Sequence, residues 1–329
     1  MSGSVSVPYD LNSGRPIVVG AERLLLPGEE EESGERAQVD PRSLPPISIK
    51  ADQLAFGNRH LGAVEAEFRR TADGLVAEGM TARDETFEIV GDGSWVVDET
   101  DPVGHRSSVT AKLTSTDVET TMRRLDYDPG ISAEELSMSL DLSWSGGPSE
   151  HLLETLDGNV DVRIGAGQLA EVRPGAGRVF GLMSIAALPR RLALDFRDVF
   201  GKGFGFDGIK GEFRVVDGES YTCNLSLEGP AADIGIVGRA GLVNREYEQT
   251  AVVSANFGNA LPVAGAIVAG PQVAAALLII SRIFRKPLQE VSQVYYSIDG
   301  TFDDPEIDRT TAEAFAKRGA ALGCIDTEQ

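Results

Sequence analysis

The sequence predicts a mainly β chain, on three observations. Apolar residues alternate with polar ones at period two through most of its length, turn-forming residues recur between those runs, and helical periodicity is sparse. With 329 residues, 42% hydrophobic and 25% charged, the chain has ordinary globular composition and enough length for one large domain or two modest ones. Its 37 glycines and low aromatic share of 6% suit strands and turns. The 51 acidic and 30 basic residues leave a net charge of −21, which repels phosphate backbones and excludes nucleic acid as a partner class.

At the N-terminus no basic region precedes an apolar one, so this chain carries no signal peptide. Taken literally that means cytoplasm, or else the tail of a longer protein. Residues Pro27 to Pro46 follow as a hydrophilic insertion with Glu29 to Glu32 in a row, expected to be a solvated, flexible acidic loop.

After it the alternation takes over. Leu136, Met138, Leu140, Leu142 and Trp144 are separated by Ser137, Ser139, Asp141 and Ser143, which gives that strand one greasy face and one wet face. The same pattern marks Val64, Ala66, Phe68; Phe87, Ile89; Val109, Ala111, Leu113; and Val160, Val162, Ile164. It continues in Leu192, Leu194, Phe196; Tyr221, Cys223, Leu225, Leu227; Ile234, Ile236; and Val294, Tyr296, Ile298. Turns are expected at Ala72-Asp73-Gly74, Gly91-Asp92-Gly93, Asp157-Gly158, Asp217-Gly218 and Glu228-Gly229-Pro230. Roughly fifteen strands joined mostly by short loops favour antiparallel meander pairing over crossovers.

Helices are expected over Ser115 to Leu125, Glu150 to Leu156, Gly177 to Leu188 and Thr310 to Leu322. The stretch Gln249 to Ser281 holds no charged side chain, and its heart runs from Leu261 to Phe284, ahead of Arg285 and Lys286. Its length and hydropathy reach the membrane-spanning range of about 18–20 residues. Pro262 and Pro271 interrupt it, leaving Gln272 to Phe284 as the continuous helix, which is short for a span. A buried or capping helical hairpin, an interfacial helix and a true span all remain open. Val263, Ile267, Val268, Val273, Leu277, Leu278 and Ile280 are its apolar candidates, and Arg282, Arg285 and Lys286 could meet anionic head groups.

Catalytic chemistry finds no foothold. Gly175, Gly177 and Gly181 with Asp195 imitate a dinucleotide fingerprint, but Arg173-Pro174 intervenes and no buried parallel strand precedes the glycines. His60, His105 and His151 are scattered, without zinc-ligand spacing. No nucleophile elbow occurs, and no two carboxylates stand out as acid and base. Cys223 and Cys324 could pair, but the expectation from two such distant cysteines is separate thiols with no metal role. The sequence therefore predicts neither an enzyme nor a cofactor.

A run of greasy strand faces must be buried against something. The sheet can close into a barrel, fold into a sandwich, or stay open and hold apolar ligand on one side, as acyl chains would require. At about 4.8 Å per strand, fifteen strands would extend on the order of 70 Å.

The stretch GRVFGLMSIAALPRRLALDFRDVFGKGFGFDGIKGEFRVVDGESYTCNLSLEGPAADIGIVGRAGLVNREYEQTAVV resembles the C-terminal region of the AsmA-like superfamily, in its YhdP branch. The likeness runs on through PVAGAIVAGP and YYSIDGTFDDPEI, and upstream through DPRSLPPISIKADQLAFGNRHLGAVEAEF. Taken in order, these motifs extend from roughly Gly14 to Ile307. Phe302 stands where the family has Trp, a swap expected to leave packing unchanged.

The resemblance implies an envelope protein anchored in the inner membrane by an N-terminal helix, with a periplasmic body. That body would be an elongated, curved antiparallel sheet folded like a taco around a hydrophobic groove. It implies phospholipid movement from the inner to the outer membrane and support of the outer-membrane barrier. This chain would then be a C-terminal fragment, with residues 1–257 as groove, 258–287 as apolar helical cap, and 288–329 as final strand and helix. On that reading Leu136, Met138, Leu140, Leu142, Val160, Val162, Leu192, Leu194, Leu225, Leu227, Ile234 and Ile236 line the groove, although a one-residue slip would invert any strand's assignment. The partners would be phospholipid acyl chains and the two membranes, with envelope proteins besides. The rival expectation is a structural scaffold or assembly factor with a sealed β core and no lipid.

Overall fold

The computed structural model describes residues 3–27, 39–127, 130–148, 152–169, 204–255, 271–284 and 293–324. The chain divides into two compact units, one of Met1–Tyr127 with Leu136–Val160, the other of Asp128–Glu135 with Asp161–Gln329. Among the described residues the main sheet has fifteen strands, and their pairing order has two free ends, an open sheet rather than a closed barrel.

In the first unit, strands β1 (Gly3–Ser6), β2 (Ile17–Leu26), β3 (Ile47–Phe56), β4 (Arg59–Arg70), β5 (Gly74–Arg83), β6 (Phe87–Val97) and β7 (His105–Ser115) pair in chain order. A helix, α1 (Val118–Arg124), follows. The short strand β8 (Ile131–Ala133) belongs to the second unit, and β9 (Leu136–Ser145) pairs with β7. The next strand, β10 (Asp157–Ile164), is divided between the units at Val160.

These pairs are antiparallel, as the alternation predicts, with one exception: β2 and β3 run parallel. Parallel neighbours need a long connection, and the insertion between Leu26 and Ile47 supplies it. The acidic run itself lies outside the described residues. The end of the connection forms a short 3-10 turn at Pro41–Ser43, capped by Asp40, whose carboxylate accepts from Arg42 N at 2.9 Å. The Arg42 side-chain hydrogen bond holds the Asp40 carboxyl below the usual carboxylate range.

Gly91-Asp92-Gly93, expected as a turn, lies inside β6 instead. The glycines serve close strand approach, because a Cβ at Gly91 would fall 2.5 Å from the Thr110 carbonyl. Asp92 accepts from the N–H of Gly79 at 2.8 Å, where positive φ (64°) lets β5 bulge. The short helix expected over Glu150 to Leu156 is also corrected, since residues 152–155 form a turn. There the Thr155 hydroxyl accepts from Ser145 N at 3.0 Å, an alternative to helical bonding.

A buried polar cluster locks the β6–β7 connection to β9 and the start of β10. The Asp101 carboxylate is fully buried and accepts from Val103 N at 2.9 Å, from Ser145 Oγ, and from Arg106 Nη1 at 3.4 Å. Arg106 Nη2 donates onward to Ser143 Oγ at 2.9 Å and to Asp157 at 2.8 Å.

In the second unit the order continues from β10 through β13 (Gly208–Val216), β14 (Glu219–Glu228), β15 (Ala232–Gly241), β16 (Glu246–Ala255), β17 (Gln293–Gly300) and β18 (Pro305–Thr310). A separate small sheet joins β8, β11 (Gly167–Leu169) and β12 (Phe204–Phe206). Asp217-Gly218 turns β13 into β14 with both residues at positive φ, as a tight hairpin needs. The last strand begins with Pro305 and carries Glu306, Asp308 and Arg309, residues that discourage further pairing at an edge.

Two helices, α2 (Pro271–Phe284) and α3 (Ala312–Ala321), pack on one face of this sheet. Ala276, Ile279, Ile280, Ile283 and Phe284 recur at helical spacing and are buried with Val237, Val252 and Phe315. The Thr311 hydroxyl caps α3 by accepting from Ala314 N at 3.2 Å. The two cysteines are not separate thiols, because Cys223 of β14 is joined to Cys324 beyond α3. Sequence distance gave no warning of this, since α3 folds back over the sheet and brings the two together. No helix among the described residues is long and apolar enough to cross a membrane. The strand expected at Leu192 to Phe196, the helix at Gly177 to Leu188 and the glycines of the dinucleotide imitation lie outside the described residues.

Candidate apolar ligand face

The register of the first unit places the apolar residues of seven strands on one side. Ile17, Ile47, Phe68, Ala77, Gly93, Val109 and Leu142 form one row across β2, β3, β4, β5, β6, β7 and β9. Ala21, Ala51, Val64, Ala82, Ile89, Leu113 and Met138 form a second. Between them run Val19, Ile49 and Ala66 on one side of the β4–β5 irregularity, and Met80, Gly91, Ala111 and Leu140 on the other. No residue in these rows is charged. The bulge at Gly79 keeps them aligned: it shifts the parity of β5 by one, so that Leu75 and Ala77 before it and Met80 and Ala82 after it face the same way.

The opposite side is polar. One row there reads Lys50, Glu65, Thr81, Val90, Lys112 and Ser139. Lys50 and Glu65 pair at 2.6 Å, Arg69 and Glu78 at 2.7 Å, and Arg83 with Glu88. The hydrogen bond from Lys50 lowers the Glu65 pKa, and the same bond raises that of Lys50. These are exposed pairs that mark the solvated face rather than stabilise it.

Ala51, Ala66, Ala77 and Leu113 on the apolar face are buried, but most of their neighbours, including Ile49, Val64, Phe68, Ile89, Val109, Leu140 and Leu142, keep partial exposure. Most polar groups at its margins are satisfied internally, but the buried His105 Nε2 has no hydrogen-bond partner among the described residues. Ser107 Oγ donates to the Gly146 carbonyl at 2.9 Å, and Ser115 Oγ lies 2.8 Å from Thr121 Oγ1 of α1. Trp144 Nε1 donates to the Gly147 carbonyl at 2.8 Å, and Trp95 Nε1 to His105 Nδ1 at 3.0 Å.

The second unit is different. Leu225, Ile236, Ala251 and Tyr296 form one row and Leu227, Ile234 and Val253 another, all between 0% and 1% exposed. Its other face lies under α2 and α3, where a Cβ at Gly235 would fall 3.0 Å from the Phe284 ring. Both sides are thus buried along these rows of β14 to β16, while Glu212, Arg214 and Val216 of β13 stay exposed.

The residues expected from sequence therefore fall into three groups. Leu136, Met138, Leu140 and Leu142 lie together, partly exposed, on the apolar face of the first unit. Leu225, Leu227, Ile234 and Ile236 lie together in a closed interior, and Val160 and Val162 are buried in β10 at 6% and 5% exposure. Leu192, Leu194, Val263, Ile267, Val268, Arg285 and Lys286 lie outside the described residues. Val273 falls within α2, Leu277 is half-buried, Leu278 is 59% exposed and Ile280 is buried. Arg282 donates to the Cys324 carbonyl at 3.0 Å. His60 is exposed on β4 while His105 is buried against Trp95, and His151 is outside the described residues. No cluster among the described residues has the ligands to hold a metal ion. What the sequence reading missed was the rest of the face, Ile49, Ile89, Val109 and Ala111 above all. Their alternation was visible, but only the cross-strand register joins them to Leu140.

A family model described as YhdP protein matches residues 1–307, nearly the whole chain. The chain belongs to the YhdP family. It is 29% identical over 271 residues to the intermembrane phospholipid transporter YhdP of Escherichia coli (strain K12), covering 82% of this chain and 21% of that relative. The chain thus spans about a fifth of the length of the curated YhdP protein it matches. No solved structure matches it. The resemblance to YhdP in ordered motifs is accordingly carried by most of the described strands.

Proposed function

We propose that this chain contributes to intermembrane phospholipid transport in the bacterial envelope, as a passive surface along which acyl chains slide. The observation that carries the reading is the set of uncharged, partly exposed rows of the first unit, bordered by Arg70 opposite Leu75, in a family whose relative is named as such a transporter. Hydrocarbon leaves water for such a face at about 25 cal/mol per Å² of apolar area, while the polar side of the same sheet stays solvated. No bond is made or broken, so the role is not enzymatic. Weak binding at each point permits departure, and an unbroken greasy row permits travel.

On this reading the body lies in the periplasm, with an inner-membrane anchor in the full-length family protein, and both membranes are partners. Outward-facing Leu278 of α2 is the described residue we assign to bilayer contact. A disulfide between Cys223 and Cys324 supports an oxidising compartment. A scaffold role is the second reading, favoured by the buried rows around Leu225 and Ile234 in the second unit.

Native mass spectrometry after gentle detergent extraction tests the proposal. Co-purified phospholipid on the first unit's face is expected, with mass increments that match glycerophospholipids. A clean unliganded mass, unchanged after incubation with phospholipid vesicles, would leave only the scaffold.

A further inference from the structure

One polar group of the first unit is left over. His105 of β7 is 7% exposed, and its Nε2 is buried without a hydrogen-bond partner among the described residues. Its Nδ1 takes the Trp95 indole N–H at 3.0 Å. An indole can only donate, so Nδ1 of the neutral ring is the bare nitrogen and the proton sits on Nε2. The leftover group is therefore a buried N–H donor, which folded proteins rarely leave unpaired.

The acceptors at this end of the sheet are already engaged. The Asp101 carboxylate accepts from Val103, Ser145 and Arg106, and Asp40, within electrostatic reach of His105, accepts from Arg42. The Gly146 carbonyl takes the Ser107 hydroxyl, and the Gly147 carbonyl takes the Trp144 indole.

Position and charge narrow the ligand. His105 lies on the apolar side of β7, in line with Ser107, Val109, Ala111 and Leu113, where the uncharged rows end. A hydrocarbon lying on those rows brings the polar atoms at the head of its chain to this place. Arg42 is bound to Asp40, and Arg106 to Asp101 and Asp157. Arg70 is on the same side but three strands away, about 14 Å, too far to neutralise a phosphate placed at His105. A neutral carbonyl oxygen needs only the one donor that His105 has spare. Resting on the lipid-transport reading, we infer that His105 Nε2 donates to the ester carbonyl of an acyl chain, so that the first unit distinguishes acyl esters from alkyl ethers. Since Nε2 is covered, the contact requires the ring or its cover to shift. The phosphate stays outside, in water.

The test gives the full chain vesicles with equal amounts of diacyl and dialkyl phosphatidylcholine, which share head group and chain length and differ in the carbonyls. After repurification, the retained lipid is expected to be enriched in the ester form by roughly threefold to tenfold, the worth of one hydrogen bond. In His105→Phe that enrichment is expected to vanish. A second measurement leaves the sequence unaltered: with isotopic label in the three histidines, the His105 Nε2 proton is expected to move downfield with the diacyl lipid and to stay put with the dialkyl one. Equal retention of the two lipids, as a resident water at Nε2 would give, overturns the inference and leaves lipid transport standing. So does an enrichment that survives His105→Phe, or an Nε2 proton indifferent to the diacyl lipid. No retained lipid of either kind overturns the transport reading itself, and this inference with it.

Discussion

Cys223 in β14 and Cys324 beyond α3 are joined by a disulfide, with Cα atoms 5.4 Å apart across 101 residues of sequence. The bond closes a long loop, and a cross-link of that span restricts the unfolded chain strongly. Arg282 of α2 holds the same turn through the Cys324 carbonyl. Cys324→Ser should therefore destabilise the second unit by about 2–4 kcal/mol. The check is a denaturation midpoint measured with and without reductant. The parent chain should fall to the variant's midpoint when reduced, and an indifferent midpoint would contradict the bond.

Gly319 of α3 sits directly against Ile279 of α2, leaving no room for a side chain. Both are buried, and the contact sets how closely the two helices approach. Gly319→Val should cost about 1–3 kcal/mol through overpacking, despite the better helix propensity of valine. Thermal unfolding monitored by circular dichroism would show a lowered midpoint. A raised midpoint would mean that the helices are not in contact as described.

Much of this architecture was legible because period two is a local signal. Leu136 to Trp144 declares its own strand and its own greasy side, and Asp217-Gly218 declares its own hairpin. What was illegible depends on distant partners. The parallel β2–β3 pair needs a connection whose path no local pattern encodes, and Gly91 reads as a turn until Thr110 is beside it. Leu140 and Ile234 look equivalent in sequence, since both alternate with polar or small neighbours. They differ only in what the folded chain lays over them, and so the candidate face could be listed but not divided.

The Asp101 carboxylate has no exposure and accepts from Ser145, Val103 and Arg106. Removing it takes from Arg106 its Nη1 partner, although Nη2 keeps Ser143 and Asp157, and leaves the Val103 N–H and the buried Ser145 hydroxyl without their acceptor. Asp101→Ala should cost about 3 kcal/mol, and Ser145→Ala, which removes one donor, about 1 kcal/mol. Urea titrations of the two variants give the comparison. Equal effects would show that the Arg106 arm adds nothing.

Acid should weaken the α1 margin of the apolar face. Asp117 caps this helix, and its pKa lies below the ordinary 3.8 because Thr120 donates to it from both backbone and hydroxyl. A carboxylate with a depressed folded pKa adds stability that is full above 3.8 and is lost as pH falls through the lower, folded value. Asp117→Ala should cost about 1 kcal/mol at neutral pH. The gap between variant and parent should narrow as pH drops below 3.8. A gap that is constant with pH would show that the carboxylate charge does not matter to the cap.

Leu140 and Asp141 are neighbours in β9 that point to opposite sides of the sheet, and they separate the apolar face from the fold that supports it. Leu140 pairs across β7 with Ala111, while Asp141 pairs with Thr110, whose hydroxyl lies 3.4 Å from it. Because Leu140 is already partly exposed, Leu140→Asp should leave the sheet folded. It places a charge in the uncharged row, where a leucine contact with hydrocarbon contributes about 1.5–3 kcal/mol. Phospholipid retained per chain should therefore fall by roughly tenfold. Asp141→Asn, on the solvated side, should leave retention unchanged. Phosphorus content per purified chain measures both, alongside circular dichroism to confirm that each variant folds. If folded Leu140→Asp retains as much lipid as Asp141→Asn, the apolar rows of the first unit are not where the chains lie.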